Sequence, residues 1–219
     1  MRMVTRRLPW KLRITVCLLI SLVPLNAARV LLHRLINGYR ISWSARIGFA
    51  AVLAVDKANI GKASLLRFNR FEGPFDLTIQ DGAVIGPSNR FACLLTATKN
   101  DHNGKFTYPH RHCRIGANAH ITERHYIDTT GGFTLGSGSW IAGYDSQFWT
   151  HGIKNAPVVI GDRCYVSSAV RFAPGAQIAD RVLVALGSVV TRKFSESNVM
   201  IGGVPAKIIR EIPPRVSSS

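Results

Sequence analysis

The sequence predicts an all-β protein built as a parallel β-helix, and three observations carry that prediction. Read in blocks of six over residues 160–194, the chain has an apolar residue first in each block and a small residue second. The apolar positions are Ile160, Val166, Phe172, Ile178, Val184 and Val190, and the small ones are Gly161, Ser167, Ala173, Ala179, Ala185 and Thr191. Six residues turn an α-helix by about 600° and scatter such positions around it, whereas an even spacing keeps them on one face of a strand. The third observation is that rougher six-residue spacings recur upstream from Ile41, as they do when short strands stack at a fixed period.

The blocks resemble the hexapeptide repeat of the left-handed β-helix acyltransferases, in which three blocks close one triangular coil. The resemblance implies pairs stacked one coil apart, namely Ile160 with Ile178, Val166 with Val184, and Phe172 with Val190. The stretch GSVVTRKFSESNVMIGGVPAKIIREI is similar to the closing segment of the same family, where a Gly-x-Pro-Ala-Lys turn leads into a C-terminal element beside the coenzyme A site. We therefore expect a left-handed β-helix acyltransferase domain over 41–212 and a tail over 213–219.

Residues 1–40 differ from the rest of the chain in charge and in pattern. Their basic residues are Arg2, Arg6, Arg7, Lys11, Arg13, Arg29, Arg34 and Arg40, and the first acidic residue of the chain is Asp56. The apolar run ITVCLLISLVPLN is shorter than the ~20 residues that a membrane-spanning helix needs, and Pro24 interrupts it. The following AARVLLHRLINGY has helical apolar spacing and stops at Gly38, so we predict a helical hairpin.

Three interpretations of this hairpin differ in their consequences. A secretory signal peptide also has a basic start and an apolar middle, but Leu25 falls where a small residue is needed before the cleavage site. A second interpretation is a pair of helices packed on the β-helix. The third is a basic hairpin lying on an anionic bilayer, which explains both the length and the charge. We expect the third, with the protein cytoplasmic and attached peripherally to the inner face of the cytoplasmic membrane.

The formal net charge of +16 indicates a polyanionic partner, such as a phosphate-rich cofactor, an anionic membrane or an anionic glycan. No helix-turn-helix, zinc-finger or RNA-binding pattern accompanies the charge, so we expect no nucleic-acid partner. The four cysteines are scattered without a CxxC pair, and Cys164 has an inward position in its block. This usage predicts reduced thiols and suits a cytosolic enzyme.

A break in a regular β-helix projects residues out of it, and QFWTHG is such a break. The surrounding segment resembles a subgroup of these acyltransferases found with polysaccharide biosynthesis, in which an HY-x-D element and an SQ-x-x-TH element recur. The two elements correspond here to His125, Tyr126, Asp128, Ser146, Gln147, Thr150 and His151.

Transfer of an acetyl group from coenzyme A to a hydroxyl needs a base, and histidine, with an unperturbed pKa of ~6.5, suits that task. We expect His151 to be the general base, Asp128 or Asp145 to orient it, and His125 to line the acceptor site. His151 could instead be an exposed loop histidine, and His125, at the fifth position of an intact block, could simply cap the core. No Ser or Cys has an activating partner nearby in sequence, so direct transfer is the simpler mechanism.

The resemblance also implies acetyl-CoA as co-substrate, bound along a groove between coils. The matching positions are Gly143, Ala169, Ala185, Ser188, Arg192 and Lys207. Small residues let a thin thioester arm approach the backbone, and the two cations can pair with phosphates, although Arg192 could equally be a solvated surface charge. Members of the family form trimers with sites between subunits. We therefore expect a homotrimer that acylates a sugar hydroxyl of a glycan or of a lipid-linked saccharide.

Two other functions fit parts of the sequence. A γ-type carbonic anhydrase on this fold binds zinc through three histidines, and His120 and His125 have an H-x4-H spacing. The third ligand would be His102, His110, His112 or His151, none at a recognisable spacing, so we expect no metal. The other alternative is a catalytically silent, membrane-bound β-helix scaffold. The polar stretch 95–113 lacks the six-residue phase and predicts a long functional loop of undefined role.

Overall fold

The computed structural model describes residues 9–94, 111–152 and 155–213. Two helices come first, α1 over Trp10–Ser21 and α2 over Asn26–Ile36. Short parallel strands follow and wind into a left-handed parallel β-helix of about seven coils with three flat faces. The predicted fold class is confirmed.

The strands divide among the three faces, and the long strands β3 and β5 each run from the third face onto the first. On the first face lie β1 (Arg40–Ile41), the ends of β3 (Val52–Ile60) and β5 (Arg70–Ile79), β8 (His112–Ile115), β11 (Phe133–Leu135), β14 (Val158–Ile160), β17 (Gln177–Ile178) and β20 (Lys193–Phe194). On the second lie β2 (Arg46–Ile47), β4 (Ser64–Leu65), β6 (Val84–Ile85), β9 (His120–Ile121), β12 (Trp140–Ile141), β15 (Tyr165–Val166), β18 (Leu183–Val184) and β21 (Val199–Gly203), with β22 (Ala206–Glu211) antiparallel to β21. On the third lie the beginnings of β3 and β5, β7 (Arg90–Ala92), β10 (Tyr126–Asp128), β13 (Gln147–Phe148), β16 (Arg171–Phe172) and β19 (Val189–Val190).

Stacking between coils follows the predicted register. Ile160 pairs with Ile178, Val166 with Val184, and Phe172 with Val190. These side chains are buried, so the repeated coils enclose one continuous hydrophobic core. All four cysteines are free and buried, in agreement with the prediction of reduced thiols.

The large breaks in the six-residue phase fall at one corner of the coil, where the third face turns into the first. In a regular coil the buried residues on either side of this corner are six apart, as are Phe172 and Ile178. In three successive coils the spacing is longer: Phe91 to Ile115, Ile127 to Leu135, and Phe148 to Ile160. We name this the insertion corner. Residues 95–110, most of the predicted functional loop, lie outside the described residues. The segment FNRFEGP, residues 68–74, also interrupts the six-residue spacing, but it runs into β5 and leaves that strand continuous.

The helical hairpin covers the open end of the first coil, where a preceding coil would otherwise supply hydrogen bonds. The Asn26 side chain donates to the carbonyl of Ala45 at 2.9 Å and accepts from the amide of Ile47 at 2.8 Å. The Arg29 side chain is only 5% exposed, and it donates to the Ile47 carbonyl and to carbonyls of the loop between the helices. These two side chains therefore take the place of a missing strand beside β2.

The other two faces of the first coil are closed in the same way. Arg34 donates to the Ile41 carbonyl, and the Tyr39 hydroxyl donates to the Val55 carbonyl at 2.7 Å and accepts from the Val55 amide at 3.0 Å. Val30 of α2 and Tyr39 both belong to the main core. The helices are those predicted, but they pack on the β-helix, so the boundary expected at residue 40 does not separate two cores. Within the described ranges, no helix is long and apolar enough to cross a membrane.

Candidate active site

Two consecutive coils bring two of the four expected catalytic residues, Asp128 and His151, together at the insertion corner. Asp128 ends β10, and Thr150 and His151 follow β13 one coil further on. Gly131 lets the two insertions approach, because a Cβ there would lie 2.3 Å from the carbonyl oxygen of Thr150. The coil geometry thus places a carboxylate beside an imidazole that is 23 residues away in sequence.

Asp128 is buried, and both oxygens of its carboxylate accept hydrogen bonds. Oδ1 accepts from the amide and the hydroxyl of Thr130, at 3.0 and 2.6 Å. Oδ2 accepts from the amide and the hydroxyl of Thr150, at 2.8 and 2.7 Å. Burial alone would raise the pKa of Asp128, but the hydrogen bonds from Thr130, Thr150 and His151 outweigh it and lower the pKa below its ordinary value. Asp128 is therefore a carboxylate at neutral pH.

The His151 ring donates its Nδ1 proton to Oδ2 of Asp128 over 2.7 Å. A carboxylate can only accept, so this contact fixes the tautomer and leaves the lone pair on Nε2. The His151 side chain is 25% exposed and that of Asp128 0%, so the ring reaches solvent while the carboxylate is shielded from it. No described residue hydrogen-bonds to Nε2, which is free to take a proton from a bound hydroxyl.

An open groove of about 720 Å³ lies beside the imidazole. Its lining includes Trp149, Arg171, Pro174 and Val189 as well as His151. The Trp149 ring meets the His151 ring edge-to-face, with 5.5 Å between their centroids. The groove therefore presents a base and an apolar, aromatic wall to one space, while the guanidinium of Arg171 donates to the carbonyls of Asp145 and Ala169 at the neighbouring corner.

Comparisons with known proteins place the chain in a family. The sequence matches no protein-family model. It is 30% identical over 190 residues to WcaF of Escherichia coli, described as a colanic acid biosynthesis acetyltransferase, and the alignment covers 85% of this chain and 88% of the relative. The chain belongs to the hexapeptide-repeat acetyltransferases.

Three further matches agree with this membership. A segment of 59 residues is 39% identical to the galactoside O-acetyltransferase of Escherichia coli and covers 27% of this chain and 29% of that one. Among solved structures, the polysialic acid O-acetyltransferase OatWY has a TM-score of 0.63 at 19% identity, over 83% of this chain and 90% of that one. The hexapeptide-repeat acetyltransferase VCA0836 of Vibrio cholerae has a TM-score of 0.52 at 20% identity, over 93% and 90%. At these identities the two structures support the fold alone.

In this acetyltransferase, His125 was expected to line the acceptor site, but it is not among the residues that line the groove beside His151. It is 1% exposed and lies at the corner between the second and third faces. The Ser146 amide donates to Nδ1 at 3.1 Å, so the neutral ring donates from Nε2 to the Thr122 hydroxyl at 3.0 Å. Burial lowers the pKa of His125 to about 4, against the opposing effect of the Asp145 charge. The alternative interpretation, a histidine that caps the core, describes its position.

Of the two carboxylates considered as partners of His151, Asp128 has the orienting position and Asp145 does not. Asp145 is exposed, has a φ of 60°, and lies at the corner between the second and third faces. Its backbone carbonyl accepts a hydrogen bond from Arg171 at 2.9 Å. One face of the coil therefore separates Asp145 from the insertion corner that holds His151.

The HY-x-D and SQ-x-x-TH elements lie side by side in adjacent coils. Tyr126 pairs in register with Gln147, the Ser146 amide donates to the His125 ring, and Thr150 and His151 both donate to Asp128. The residues of each element are thus spaced so that they meet their partners in the adjacent coil. Thr130 was not singled out from the sequence, although an amide two residues after an Asp commonly bonds its side chain. Nothing in the sequence pattern pointed to Trp149 or Arg171 as groove residues.

None of the six residues expected to bind the cofactor lines the groove beside His151. Gly143, Ala169, Ala185 and Ser188 lie at the corner between the second and third faces, Arg192 precedes β20, and Lys207 lies in β22. Gly143 has a φ of 67°, and a Cβ there would lie 1.6 Å from the Ser168 hydroxyl, so the stacking of the chain itself requires this glycine. Ser188 is buried and donates to the Ala185 carbonyl at 2.7 Å, whereas Arg192 is exposed, with its guanidinium 4.4 Å from the centroid of the Phe194 ring.

The two histidines considered together as zinc ligands lie in different environments. His120 is exposed on β9, with its ring 5.5 Å from that of Trp140, whereas His125 is buried. His102 and His110 lie outside the described residues, and His112 Nε2 contacts the Thr134 hydroxyl at 3.1 Å. Across the part of the chain that the structure describes, no three His, Cys, Asp or Glu residues are grouped to hold a metal ion.

Proposed function

We propose that the protein transfers an acetyl group from acetyl-CoA directly to a sugar hydroxyl of a glycan, with His151 as general base. The observation that carries the proposal is the hydrogen bond from His151 Nδ1 to the buried Asp128, at the edge of an open groove. This bond leaves a base of defined tautomer beside a space that can admit an acceptor. The family supplies the reaction class.

In the proposed reaction, the acceptor oxygen attacks the thioester carbonyl carbon while the hydroxyl proton passes to Nε2 of His151. The carbon–sulfur bond then breaks, and the proton on Nε2 passes to the departing sulfur, which restores the neutral ring. Asp128 stays ionised and stabilises the imidazolium between the two steps. No Ser or Cys is among the described residues that line the groove, which supports direct transfer over an acyl-enzyme.

The proposed acceptor is a glycan or a lipid-linked saccharide. The relative WcaF is named for colanic acid biosynthesis, and a second relative for O-acetylation of a galactoside. The groove offers the Trp149 ring to the apolar face of a sugar. A lipid-linked acceptor is consistent with the basic hairpin, by which the protein would attach peripherally to the inner face of the cytoplasmic membrane.

The proposed active assembly is a homotrimer. In one chain, His151 lies at the insertion corner, whereas Gly143 and Ala169 lie at another corner, across the third face. A thioester bound along the corner between the second and third faces of one subunit would meet His151 of a neighbouring subunit when two β-helices pack side by side. Light scattering in mild detergent should give three times the chain mass of 24.1 kDa. A fully active monomer would contradict the shared site.

The activity is tested by incubating the full-length protein with labelled acetyl-CoA and a panel of saccharides. Label should move to a sugar hydroxyl, with slow hydrolysis when no acceptor is present, and His151→Ala should slow both by ~10²-fold or more. A protein that neither binds acetyl-CoA nor labels any saccharide would favour the scaffold alternative. Zinc-dependent hydration of carbon dioxide would favour the hydratase.

A further inference from the structure

We propose that the N-terminal end of the β-helix docks on a bilayer containing anionic phospholipid, and that a cavity there holds a lipid phosphate between Arg46 and Arg67. This inference rests on the proposed membrane attachment and extends it by assigning the residues that contact the lipid. Three observations support it: the distribution of exposed apolar side chains, the orientation of the two helices, and the lining of the cavity.

Exposed large apolar side chains concentrate at this end of the molecule. Of 18 such residues in the described chain, 11 precede residue 69. On the helices and the loop between them they are Leu12, Leu18, Leu19, Leu22, Leu25, Leu31 and Leu35, from 41% to 70% exposed, and on the first two coils they are Trp43, Phe49, Leu66 and Phe68. Monomeric soluble proteins rarely leave so much apolar surface together unless a partner covers it.

Both helices bury polar side chains beside Cys17, Ile20 and Val30 and leave leucines exposed, which departs from the usual arrangement on a soluble protein. Arg13 is buried and pairs with Asp56 at 2.9 Å, and the buried Arg29 bonds backbone carbonyls of the first coil. The buried His33 accepts a hydrogen bond from Asn37 at 2.8 Å. Because Arg13, Arg29 and His33 each make at least one polar contact inside the protein, the outer faces of the helices are left to the leucines.

A cavity of about 660 Å³ lies between α2 and the corner that joins the second and third faces. Its lining combines apolar side chains, including Phe49 and Leu66, with Arg46 and Arg67. Both of these arginines are exposed, and neither forms an ion pair with a described carboxylate. Two cations beside an apolar wall match the phosphate and the acyl chains of a phospholipid.

Charge favours an anionic bilayer over a second copy of the chain as the occupant. The chain has no acidic residue before Asp56 and a net charge of +16. A second copy would bring the same basic surface against itself, which is unfavourable, whereas anionic lipid neutralises it. The helices of the hairpin are 12 and 11 residues long, too short for either to cross a bilayer.

The phosphate site is tested with the full-length protein and vesicles of phosphatidylcholine, with and without phosphatidylglycerol, by co-sedimentation. The double variant Arg46→Gln/Arg67→Gln should bind the phosphatidylglycerol vesicles about thirtyfold more weakly. The matched double variant Arg114→Gln/Arg163→Gln removes the same charge from exposed positions elsewhere on the β-helix. It should weaken binding by less than about threefold, because salt screens charges beyond ~10 Å. Circular dichroism should show all variants folded.

The phosphate site would be overturned if the Arg46→Gln/Arg67→Gln variant bound phosphatidylglycerol vesicles as tightly as the wild type. It would also be overturned if both double variants weakened that binding equally. Leu25→Gln should reduce the binding that persists at high salt, while Ile209→Gln, which replaces an exposed isoleucine in β22, should not. A wild-type protein that ignores phosphatidylglycerol vesicles and instead self-associates through this end would overturn the docking proposal. Hydrolysis of acetyl-CoA without vesicles should be the same in these variants and in the wild type. Its absence from the wild type would contradict the proposed enzymatic function and leave the vesicle result standing.

Discussion

Thr150 bonds Asp128 twice, because its amide and its hydroxyl both donate to the Oδ2 oxygen that accepts the Nδ1 proton of His151. The amide of Gly131 in turn donates to the Thr150 hydroxyl at 2.8 Å. Since Thr150 directly precedes His151, one residue fixes both the carboxylate and the backbone that carries the imidazole. The orientation of the ring therefore depends on Thr150 as well as on Asp128.

Replacing His151 with alanine should remove the base and leave the β-helix intact, because the side chain is at the surface of the insertion corner. We expect kcat to fall by ~10²–10⁴ while the affinity for acetyl-CoA stays close to that of the wild type. Steady-state kinetics and equilibrium binding would measure the two quantities. Wild-type turnover in this variant would show that the base is another residue.

Asp128→Asn should lower kcat by about 10²-fold or more, because an amide no longer stabilises the imidazolium or fixes its tautomer. Asp145→Asn is the matched control, since it makes the same change at an exposed carboxylate that the structure places away from His151. The control should have wild-type kinetics. Equal losses in the two variants would contradict the assignment of Asp128 as the orienting carboxylate.

Thr150→Val tests the positioning role of the hydroxyl. It removes one donor to Asp128 and the acceptor of the Gly131 amide, so we expect kcat to fall between about tenfold and a hundredfold with KM little changed. Thr150→Ser keeps the hydroxyl and should restore most of the activity. If serine does no better than valine, the hydroxyl does not position the base.

Acid should destabilise the fold through two buried histidines. Burial lowers the pKa of His125 to about 4, and burial together with the Arg29 charge lowers that of His33 to about 4. Because the unfolded chain takes up these protons near pH ~6.5, stability is complete above that pH and is lost as the pH falls towards 4, by about 3 kcal/mol per histidine at most. Urea unfolding at a series of pH values measures the slope. His125→Gln should flatten it, and an unchanged slope would show that His125 does not contribute.

Removal of residues 1–40 separates two expectations. The charge pattern alone predicts that the truncated β-helix stays folded and becomes soluble, whereas the structure predicts that it loses several kcal/mol of stability. The reason is that Val30 leaves the core and the first coil loses the hydrogen bonds of Asn26 and Arg29. The midpoint of urea unfolding should fall by much more than experimental error. An unchanged midpoint would favour a hairpin that serves only the membrane.

The fold could be predicted from the sequence because every coil repeats the same pattern of inward apolar residues. An apolar residue at positions such as Ile160 and Ile178 must face inwards in every coil, so the period alone fixes strand positions and register. The helices could be predicted for a similar reason, since their apolar residues recur with a period of 3.6, Pro24 separates the two helices, and Gly38 follows the end of the second. Where those helices would pack could not, because polar residues such as Arg29 point inwards and bond backbone groups that no pattern reveals.

The site could be predicted only where residues act across one coil. Asp128 and His151 belong to two elements that pair directly, so the resemblance of those elements identified both. His125 was expected at the acceptor site because an imidazole in such an element is chemically suitable, but its ring serves the corner hydrogen bonds instead. Arg171 reaches the groove from the next coil and follows no motif.

The closed first coil has a consequence for the behaviour of many copies together. A stack of parallel strands that ends in unpaired backbone is a template on which another stack can continue, and growth of this kind has no natural stopping point. Asn26, Arg29 and Tyr39 bond the very backbone groups that a second molecule would use. The hairpin therefore prevents a second β-helix from adding to this end, and a chain in which the hairpin failed to dock would be prone to polymerise end to end.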